Sequence, residues 1–271
     1  MMKRYTLFHA PLMAFFSRRF YRDVGLNWQG TGFAYLLLLL TICWALVSAQ
    51  LHFSIVELVE TKAPGIAPQV PRITIIKDEA SVDVAQPYKI MNPEGGKVLA
   101  LIDTTGKTLS LEGTDARLLM TRTGVLYKKN DGKITGFEFK GVKHFTLDQQ
   151  KISEWLRMFR NYGAVAFFFL GVLGSFVFRI AQTLLYAAIG LLFARGYKTR
   201  PAYQTLLRIS VMAITPVILV NTISEMARVT IPLDGVLYFI AAMVYLLFGV
   251  KAVSDNKEAW DAAETGGADR K

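Results

Sequence analysis

The stretch "TGFAYLLLLLTICWALVSAQ", Thr31 to Gln50, contains twenty consecutive residues without a charged side chain. At 1.5 Å per residue, such a helix is about 30 Å long, which matches the hydrocarbon core of a bilayer. The tripeptide Val47-Ser48-Ala49 resembles a signal-peptidase site, but about thirty residues precede the run, and it is longer than a signal-peptide core. We therefore expect an uncleaved membrane-spanning helix over residues 31–50.

The composition agrees with a membrane protein. Of the 271 residues, 52% are hydrophobic, which is too apolar for an ordinary soluble domain of this size. The net charge of +10 does not indicate nucleic-acid binding, because no recognised motif accompanies it and the basic residues lie beside the apolar runs. The single cysteine, Cys43, lies inside the first apolar run and excludes a disulfide framework or a thiolate metal site.

Residues 1–30 form a basic segment that we expect in the cytoplasm. In "PLMAFFSRRFYRDV", apolar side chains recur every four residues, which predicts one amphipathic helix. Its apolar face fits the acyl boundary of a bilayer or, equally well, the protein's own spans. The apolar positions are Leu12, Phe16, Phe20 and Val24. The basic residues that keep this segment inside are Lys3, Arg4, Arg18, Arg19 and Arg22, against Asp23.

Residues 51–150 predict a small extracytoplasmic β domain. The segment "TKAPGIAPQVP" carries three prolines and is typical of a linker. Short alternating runs separated by turn residues follow it and predict strands. These runs are "RITIIKD", "ASVDVAQ", "PYKIM", "KVLALID", "KTLSL", "ARLLMTR", "VLYKK" and "GFEFKGVKHFTL". Asn130-Asp131-Gly132 is the strongest hairpin signal in the chain.

Residues 151–252 predict a transmembrane bundle, entered through a helical stretch, "LDQQKISEWLRMFRNY". The apolar region 162–194 would measure about 50 Å as one helix, so it is either one long tilted span or two short spans meeting near Arg179. The next loop is the most basic in the chain and should be cytoplasmic, which favours one crossing. Its basic residues are Arg195, Lys198, Arg200 and Arg208.

Two more spans are expected over residues 209–224 and 236–250. The first contains Pro216, which lacks an N–H and frees the carbonyl one turn back. We expect residues 253–271 to be a polar cytoplasmic tail. The fold class predicted is therefore an α-helical integral membrane protein of about four spans, with an inserted extracytoplasmic all-β domain and both ends of the chain in the cytoplasm.

Asp103 in "VLALIDTTGKTLSLEG" stands in a sequence that resembles several catalytic motifs. A phosphate loop would need Gly at Leu101, and an aspartic protease would need Asp-Thr-Gly without the extra threonine, together with a second carboxylate. We interpret Asp103 instead as the end of a buried strand, whose carboxylate caps the turn through Gly106. An envelope hydrolase that uses Asp103 is the minor alternative.

No metal, cofactor or catalytic site is predicted. His9, His52 and His144 are scattered, and no Ser/His/Asp set lies within plausible reach. A charge in mid-membrane usually faces a partner or a water-filled cavity, so we expect an intramembrane polar cluster. Its members are Arg179, Gln182, Thr183, Asn221 and Glu225.

The layout resembles an uncharacterised family of bacterial integral-membrane proteins, on the basis of "IDTTG" (Ile102 to Gly106) and "AITP" (Ala213 to Pro216). Some members carry the label maltodextrin-utilisation protein, and the C-terminal bundle distantly resembles Yip1-type membrane domains. The resemblance implies a bacterial cytoplasmic membrane location and no established activity or site residues.

The function expected from the sequence is that of a non-enzymatic accessory or scaffold protein. Its β domain would bind a partner or envelope ligand, and its bundle would contact lipid, another membrane protein or a second copy. The alternative is a small transporter or channel component that uses Arg179. The two differ in whether a flux depends on that residue.

Overall fold

The computed structural model describes residues 5–129, 132–197 and 199–255. The chain divides into two compact units, which we call the helical unit (Met1–Gln50 and Val165–Lys271) and the β unit (Leu51–Ala164). The predicted tail beyond residue 255 lies outside the described residues, as do two residues of the predicted hairpin turn, Asn130 and Asp131.

Two short and four long helices account for most of the helical unit and continue into the β unit. They are α1 (Ala10–Met13), α2 (Arg18–Asn27), α3 (Phe33–Glu57), α5 (Gln149–Ala194), α6 (Tyr203–Met226) and α7 (Asp234–Ser254), with α4 (Ala63–Ile66) inside the β unit. Within the described residues, four helical stretches are long and apolar enough to cross a membrane: Phe33–Gln69, Gln149–Ala194, Tyr203–Met226 and Asp234–Ser254. The structure thus confirms four helices at approximately the positions predicted for the spans.

Helix α5 is one unbroken helix of 46 residues. At 1.5 Å per residue, it is about 69 Å long, more than twice the thickness of a hydrocarbon core. The prediction of one long helix over residues 162–194 is confirmed, and the alternative of two short helices is wrong because no helix break occurs at Arg179. The helical stretch predicted before this region forms its first turns.

The predicted amphipathic helix at the N-terminus is two helices, because Ser17 starts a new one. The hydroxyl oxygen of Ser17 accepts a hydrogen bond from the Phe20 amide at 3.2 Å, which is a helix N-cap. Phe20 and Val24 then lie fully buried in the core of the helical unit, whereas Phe16 remains 61% exposed. The α2 half of the segment therefore packs on the protein itself.

Tyr21 of α2 fills the space that Pro216 creates in α6. Pro216 has no N–H to offer the carbonyl of Met212, four residues earlier. The Tyr21 hydroxyl donates to the carbonyl of Ala14 at 2.9 Å and lies 3.4 Å from the freed Met212 carbonyl. Gly249 of α7 permits this approach, since a Cβ there would lie 2.7 Å from Cδ1 of Tyr21. Helices α2, α6 and α7 form one packed core.

Two sheets form the β unit. In one, strand β1 (Ile73–Ile76) pairs antiparallel with β2 (Glu79–Val82) and β8 (His144–Leu147). The other has the order β3-β4-β5-β6-β7, with β4 and β5 parallel and the other pairs antiparallel. Its strands are β3 (Tyr88–Met91), β4 (Val98–Ile102), β5 (Leu118–Met120), β6 (Gly124–Lys128) and β7 (Ile134–Glu138). The antiparallel pairing of β6 with β7 confirms the predicted hairpin.

Two segments of the β unit differ from their predictions. The proline-rich segment predicted as a linker is helical, with a π-helical turn (Leu58–Lys62), α4 and a 3₁₀ turn (Ala67–Gln69). Pro64 and Pro68 are tolerated because they stand in the first turns of α4 and the 3₁₀ turn, and Pro71 follows both. The "KTLSL" run forms no strand, because the Thr108 amide is bonded to the side chain of Asp103.

The helical parts of the β unit contact each other. Arg160 of α5 forms an ion pair with Glu60 at 2.8 Å. Ile55 of α3 is buried, and a Cβ on Gly163 would lie 3.4 Å from its Cδ1 atom. Gln149 donates to the carbonyl of Pro68 at 3.0 Å. Within the β unit, these contacts join α3, α5 and the helical turns that precede β1.

The close approach at Gly249 yields a stability prediction. Gly249→Ala places a methyl group against Tyr21 and should lower the unfolding free energy by about 1–3 kcal/mol, the usual cost of overpacking. Gly174→Ala is the matched control, since a Cβ there meets nothing within 4 Å. It should be neutral or slightly stabilising. Thermal unfolding of both variants in detergent measures the difference, and equal midpoints would contradict the packing described for Tyr21.

Candidate functional site

The Asp103 turn closes one end of strand β4. Carboxylate oxygen Oδ1 accepts from the Thr105 amide at 3.0 Å and from the Thr105 hydroxyl at 2.6 Å. Oxygen Oδ2 accepts from the Thr108 amide at 2.7 Å. Gly106 takes the positive φ of +85° that the turn requires. The interpretation of Asp103 as a turn cap is confirmed by this geometry.

The environment of Asp103 favours the ionised form of its carboxylate. Its residue has no exposed surface, and burial alone would raise the carboxyl pKa. The hydrogen bonds from Thr105 and Thr108 outweigh burial and hold the pKa of Asp103 below its ordinary value. A carboxylate with both oxygens engaged and a lowered pKa is suited to holding a turn.

A groove of about 500 Å³ lies beside this turn. The turn and Leu109 form one wall, and β6 and β7 form the other. Gly136 has no side chain to fill its part of the β7 wall. A Cβ at this position would lie 2.7 Å from Cδ2 of Leu126. Leu109 is 74% exposed and Phe137 is 66% exposed, so two large apolar side chains are available at the groove.

The predicted intramembrane polar residues form two hydrogen-bonded groups. On α5, Arg179 donates to Gln182 at 2.6 Å, and Gln182 donates to the Tyr186 hydroxyl at 2.8 Å. On α6, Asn221 donates to Glu225 at 2.9 Å. Thr183 does not join either group, because its hydroxyl donates to the carbonyl of Ile180.

A small cavity of about 60 Å³ brings the two groups together in the helical unit. Arg179, Asn221 and Glu225 line it, together with residues of α3. Within the described residues, no ion pair within 4 Å joins Arg179 to Glu225. The volume is enough for a small number of water molecules, which prefer such polar walls. Trp44 closes the α3 side, and its indole N–H donates to the Ser175 hydroxyl at 2.9 Å.

Contacts at one end of the helical unit tie three distant parts of the chain together. Arg208 of α6 donates to the carbonyl of Gly25 at 2.9 Å and to that of Trp28, at the C-terminus of α2. A cation is favourable there, because the last carbonyls of a helix carry partial negative charge. Arg18 of α2 also pairs with Asp255, which follows α7.

The sequence did not reveal several residues that shape these sites. The hairpin side of the groove is lined by Gly124, Gly136 and Phe137. The order of the strands, and not the chain sequence, brings these residues near the Asp103 turn. Arg208 was predicted only as part of a basic loop. The signal that was present is the pair of glycines in "TGVLY" and "TGFEF", since glycine inside a strand often marks a close backbone approach.

The chain matches the family described as "Protein of unknown function (DUF1189)" over residues 8–250. It belongs to this family. The predicted membership of an uncharacterised family is thus confirmed, and the match covers both the helical unit and the β unit. No curated protein and no solved structure matches the chain. Among the described residues, no group of three or more His, Cys, Asp or Glu side chains is placed to hold a metal ion.

Asp103→Asn tests the turn. An asparagine amide would place a donor against the Thr108 amide or lose the Thr105 bonds, so the β unit should lose about 1–3 kcal/mol of stability. Because the folded pKa is lowered, the contribution of Asp103 is present above pH of about 4 and is lost as the pH falls through the folded pKa. Hydrogen exchange at the Thr105 and Thr108 amides measures the loss, with exposed Asp115→Asn as control. Equal exchange in the two variants would contradict the cap.

The Arg179–Gln182 bond predicts a non-additive pair. Gln182→Leu leaves the guanidinium without this acceptor in an apolar helix and should destabilise the helical unit by about 1–3 kcal/mol. Adding Arg179→Leu removes the stranded charge, so the double variant should be more stable than Gln182→Leu alone. Unfolding in nanodiscs measures the cycle. Strict additivity of the two changes would show that the side chains act independently.

Proposed function

We propose that the protein is a non-enzymatic accessory protein of a bacterial cytoplasmic membrane, whose β unit lies outside the cytoplasm and binds a partner protein or envelope component. The observation that carries this proposal is the groove of about 500 Å³ between the Asp103 turn and the β6–β7 hairpin. A concave surface with exposed apolar side chains and nearby hydrogen-bonding groups is typical of a binding site.

The topology in this proposal is supported by charge and by contacts inside the helical unit. The basic loop before α6 should stay in the cytoplasm. Arg208 at the end of that loop binds the C-terminus of α2, and Arg18 of α2 pairs with Asp255. The N-terminal segment, the basic loop and the end of α7 therefore share one side of the bundle. In the proposed orientation the chain crosses the membrane four times, and the β unit follows the first crossing outside the cytoplasm.

The surface of α5 supports contact with lipid or with a neighbouring membrane protein. Its most apolar 18-residue window is only 6% buried inside the structure, against 67% for α6. Apolar side chains on such a helix need a hydrocarbon or protein neighbour. In this proposal α6 forms the centre of the bundle and α5 its exposed flank, open to lipid, to another membrane protein or to a second copy.

A transport role is the second candidate and rests on Arg179. A cationic side chain beside a polar cavity inside a membrane helix is a feature of transport pathways. The cavity of about 60 Å³ is small for a solute, and Arg179 already donates to Gln182. These two facts favour a structural role for the polar cluster. The minor alternative of a hydrolase is weakened by the engagement of both Asp103 oxygens in its turn.

Photo-crosslinking in intact cells tests the binding role. A photoreactive amino acid at Leu109, on the groove wall, should give covalent adducts with a partner of defined mass. The same amino acid at exposed Lys89, on the opposite edge strand of the sheet, is the matched control and should give few.

Adducts that appear at Leu109 at several expression levels, and that mass spectrometry assigns to the same envelope component, support the proposal. Irradiation that yields only this chain at every expression level would count against a partner. If Arg179→Leu abolishes a solute flux while leaving the protein folded and inserted, the transport role replaces the binding role.

A further inference from the structure

Three of the four sheet edges in the β unit are each contacted at one residue by another part of the chain. At β3, the Gln69 side chain accepts from the Met91 amide at 2.8 Å and donates to the Met91 carbonyl at 3.0 Å, as a neighbouring strand would. At β2, the Ala80 amide donates to the Arg122 carbonyl at 2.7 Å. At β8, the Lys151 ammonium donates to the Thr146 carbonyl at 2.6 Å. Such cover prevents unwanted strand pairing.

Strand β7 is the fourth edge, and its outward backbone groups have no partner among the described residues. Phe139 donates to the Thr123 carbonyl and Lys129 donates to the Lys133 carbonyl, so odd-numbered residues of β7 face β6. The N–H and C=O groups of Ile134, Gly136 and Glu138 therefore point away from the sheet. A strand with this pattern is a template for one more strand.

Strand β7 supplies part of the groove lining. Gly136, Phe137 and Glu138 belong to both β7 and the groove lining. Side chains of an added strand alternate between the two faces, so every second one would enter the groove. Phe137 also stacks on Tyr127, with ring centroids 6.1 Å apart, and adds an apolar platform to the groove lining.

The charges around β7 indicate which kind of strand would bind at this edge. Between Thr121 and Lys143 the chain has six Lys or Arg residues and two acidic residues. Lys128 and Lys140 are basic residues near opposite ends of β7, whose own carboxylate is Glu138. Arg122 is already paired with Glu79. A segment with several carboxylates would meet a complementary surface, which steers association and fixes specificity.

We infer that β7 receives an extended acidic segment of the partner protein, which adds as a sixth strand to the β3–β7 sheet. Backbone hydrogen bonds to Ile134, Gly136 and Glu138 supply the pairing. The groove, whose lining includes Phe137, accepts every second side chain of this strand, and the lysines contact its acidic side chains. This inference rests on the proposed binding function and names the class of its partner.

The test uses the full-length protein in zwitterionic nanodiscs and a fluorescent octapeptide of alternating valine and glutamate. Gly136→Pro removes an outward N–H without touching the bonds to β6, and proline is tolerated at such a position. Gly136→Ala is the matched control, because it adds the same Cβ and keeps the N–H. Fluorescence anisotropy should show roughly tenfold weaker binding for the proline variant and little change for the alanine variant.

The charges are tested separately, without a backbone change. Lys128→Glu combined with Lys140→Glu should weaken the same peptide roughly tenfold at low salt, and wild-type affinity should fall as salt is raised. Lys89→Glu on the covered β3 edge should have little effect. An octapeptide with lysine in place of glutamate should bind poorly.

Equal binding of the two peptides, full affinity in Gly136→Pro or no binding of the glutamate peptide would each overturn the inference. A wild-type dimer that Gly136→Pro dissolves would also overturn it, by making a second copy the occupant of β7. If the peptide fails while Leu109 crosslinks to a partner in cells, the proposed function stands and only the β7 mode is wrong. If the glutamate peptide binds as expected and no crosslink forms at Leu109, the β7 binding mode stands and the proposed contact of a partner with the groove wall is wrong.

Discussion

A backbone carbonyl buried among apolar helices needs a hydrogen-bond partner, and in this protein that requirement is sharpest at Pro216. The proline leaves the Met212 carbonyl of α6 without its helical donor, and the Tyr21 hydroxyl lies within 3.4 Å of it. This contact draws α2 into the bundle core, which is one of the two placements that the sequence left open for this segment. With α2 packed in this core, Arg208 caps its C-terminus and Arg18 pairs with Asp255. These contacts place the N-terminal segment, the start of α6 and the end of α7 on one side of the helical unit.

The β unit uses the same rule in an aqueous setting, where buried polar groups are satisfied locally and the exposed ones remain available for binding. Asp103 engages both oxygens to hold its turn, and Gln69 closes the β3 edge. The polar residues that look most reactive in the sequence are therefore structural. The surface that we propose for binding lies on β7. It combines a glycine, an exposed phenylalanine and outward backbone groups without a partner among the described residues.

Long apolar runs were enough to predict four helices, because the length of a span is a property of one continuous stretch. Turn residues were enough to predict most strands, because the backbone conformations of glycine are also set locally. Even the role of Asp103 followed from its neighbours in the chain. The prolines around residues 64–68 were misinterpreted as a linker, since proline in a first helical turn and proline in a loop look alike in sequence. The break at Ser17, the Tyr21 contact and the groove beside Gly136 depend on residues far apart in the chain. Such contacts leave no periodic pattern, and only the fold brings them together.

The membrane orientation is the claim on which the rest depends, and cysteine labelling tests it most directly. With Cys43 replaced by serine, single cysteines are placed at exposed Leu109 of the β unit and at exposed Thr199 of the basic loop. A membrane-impermeant maleimide applied to intact spheroplasts should label the first, and should label the second only after the membrane is opened. Labelling of position 199 but not of position 109 in intact spheroplasts would place the β unit in the cytoplasm and contradict the account.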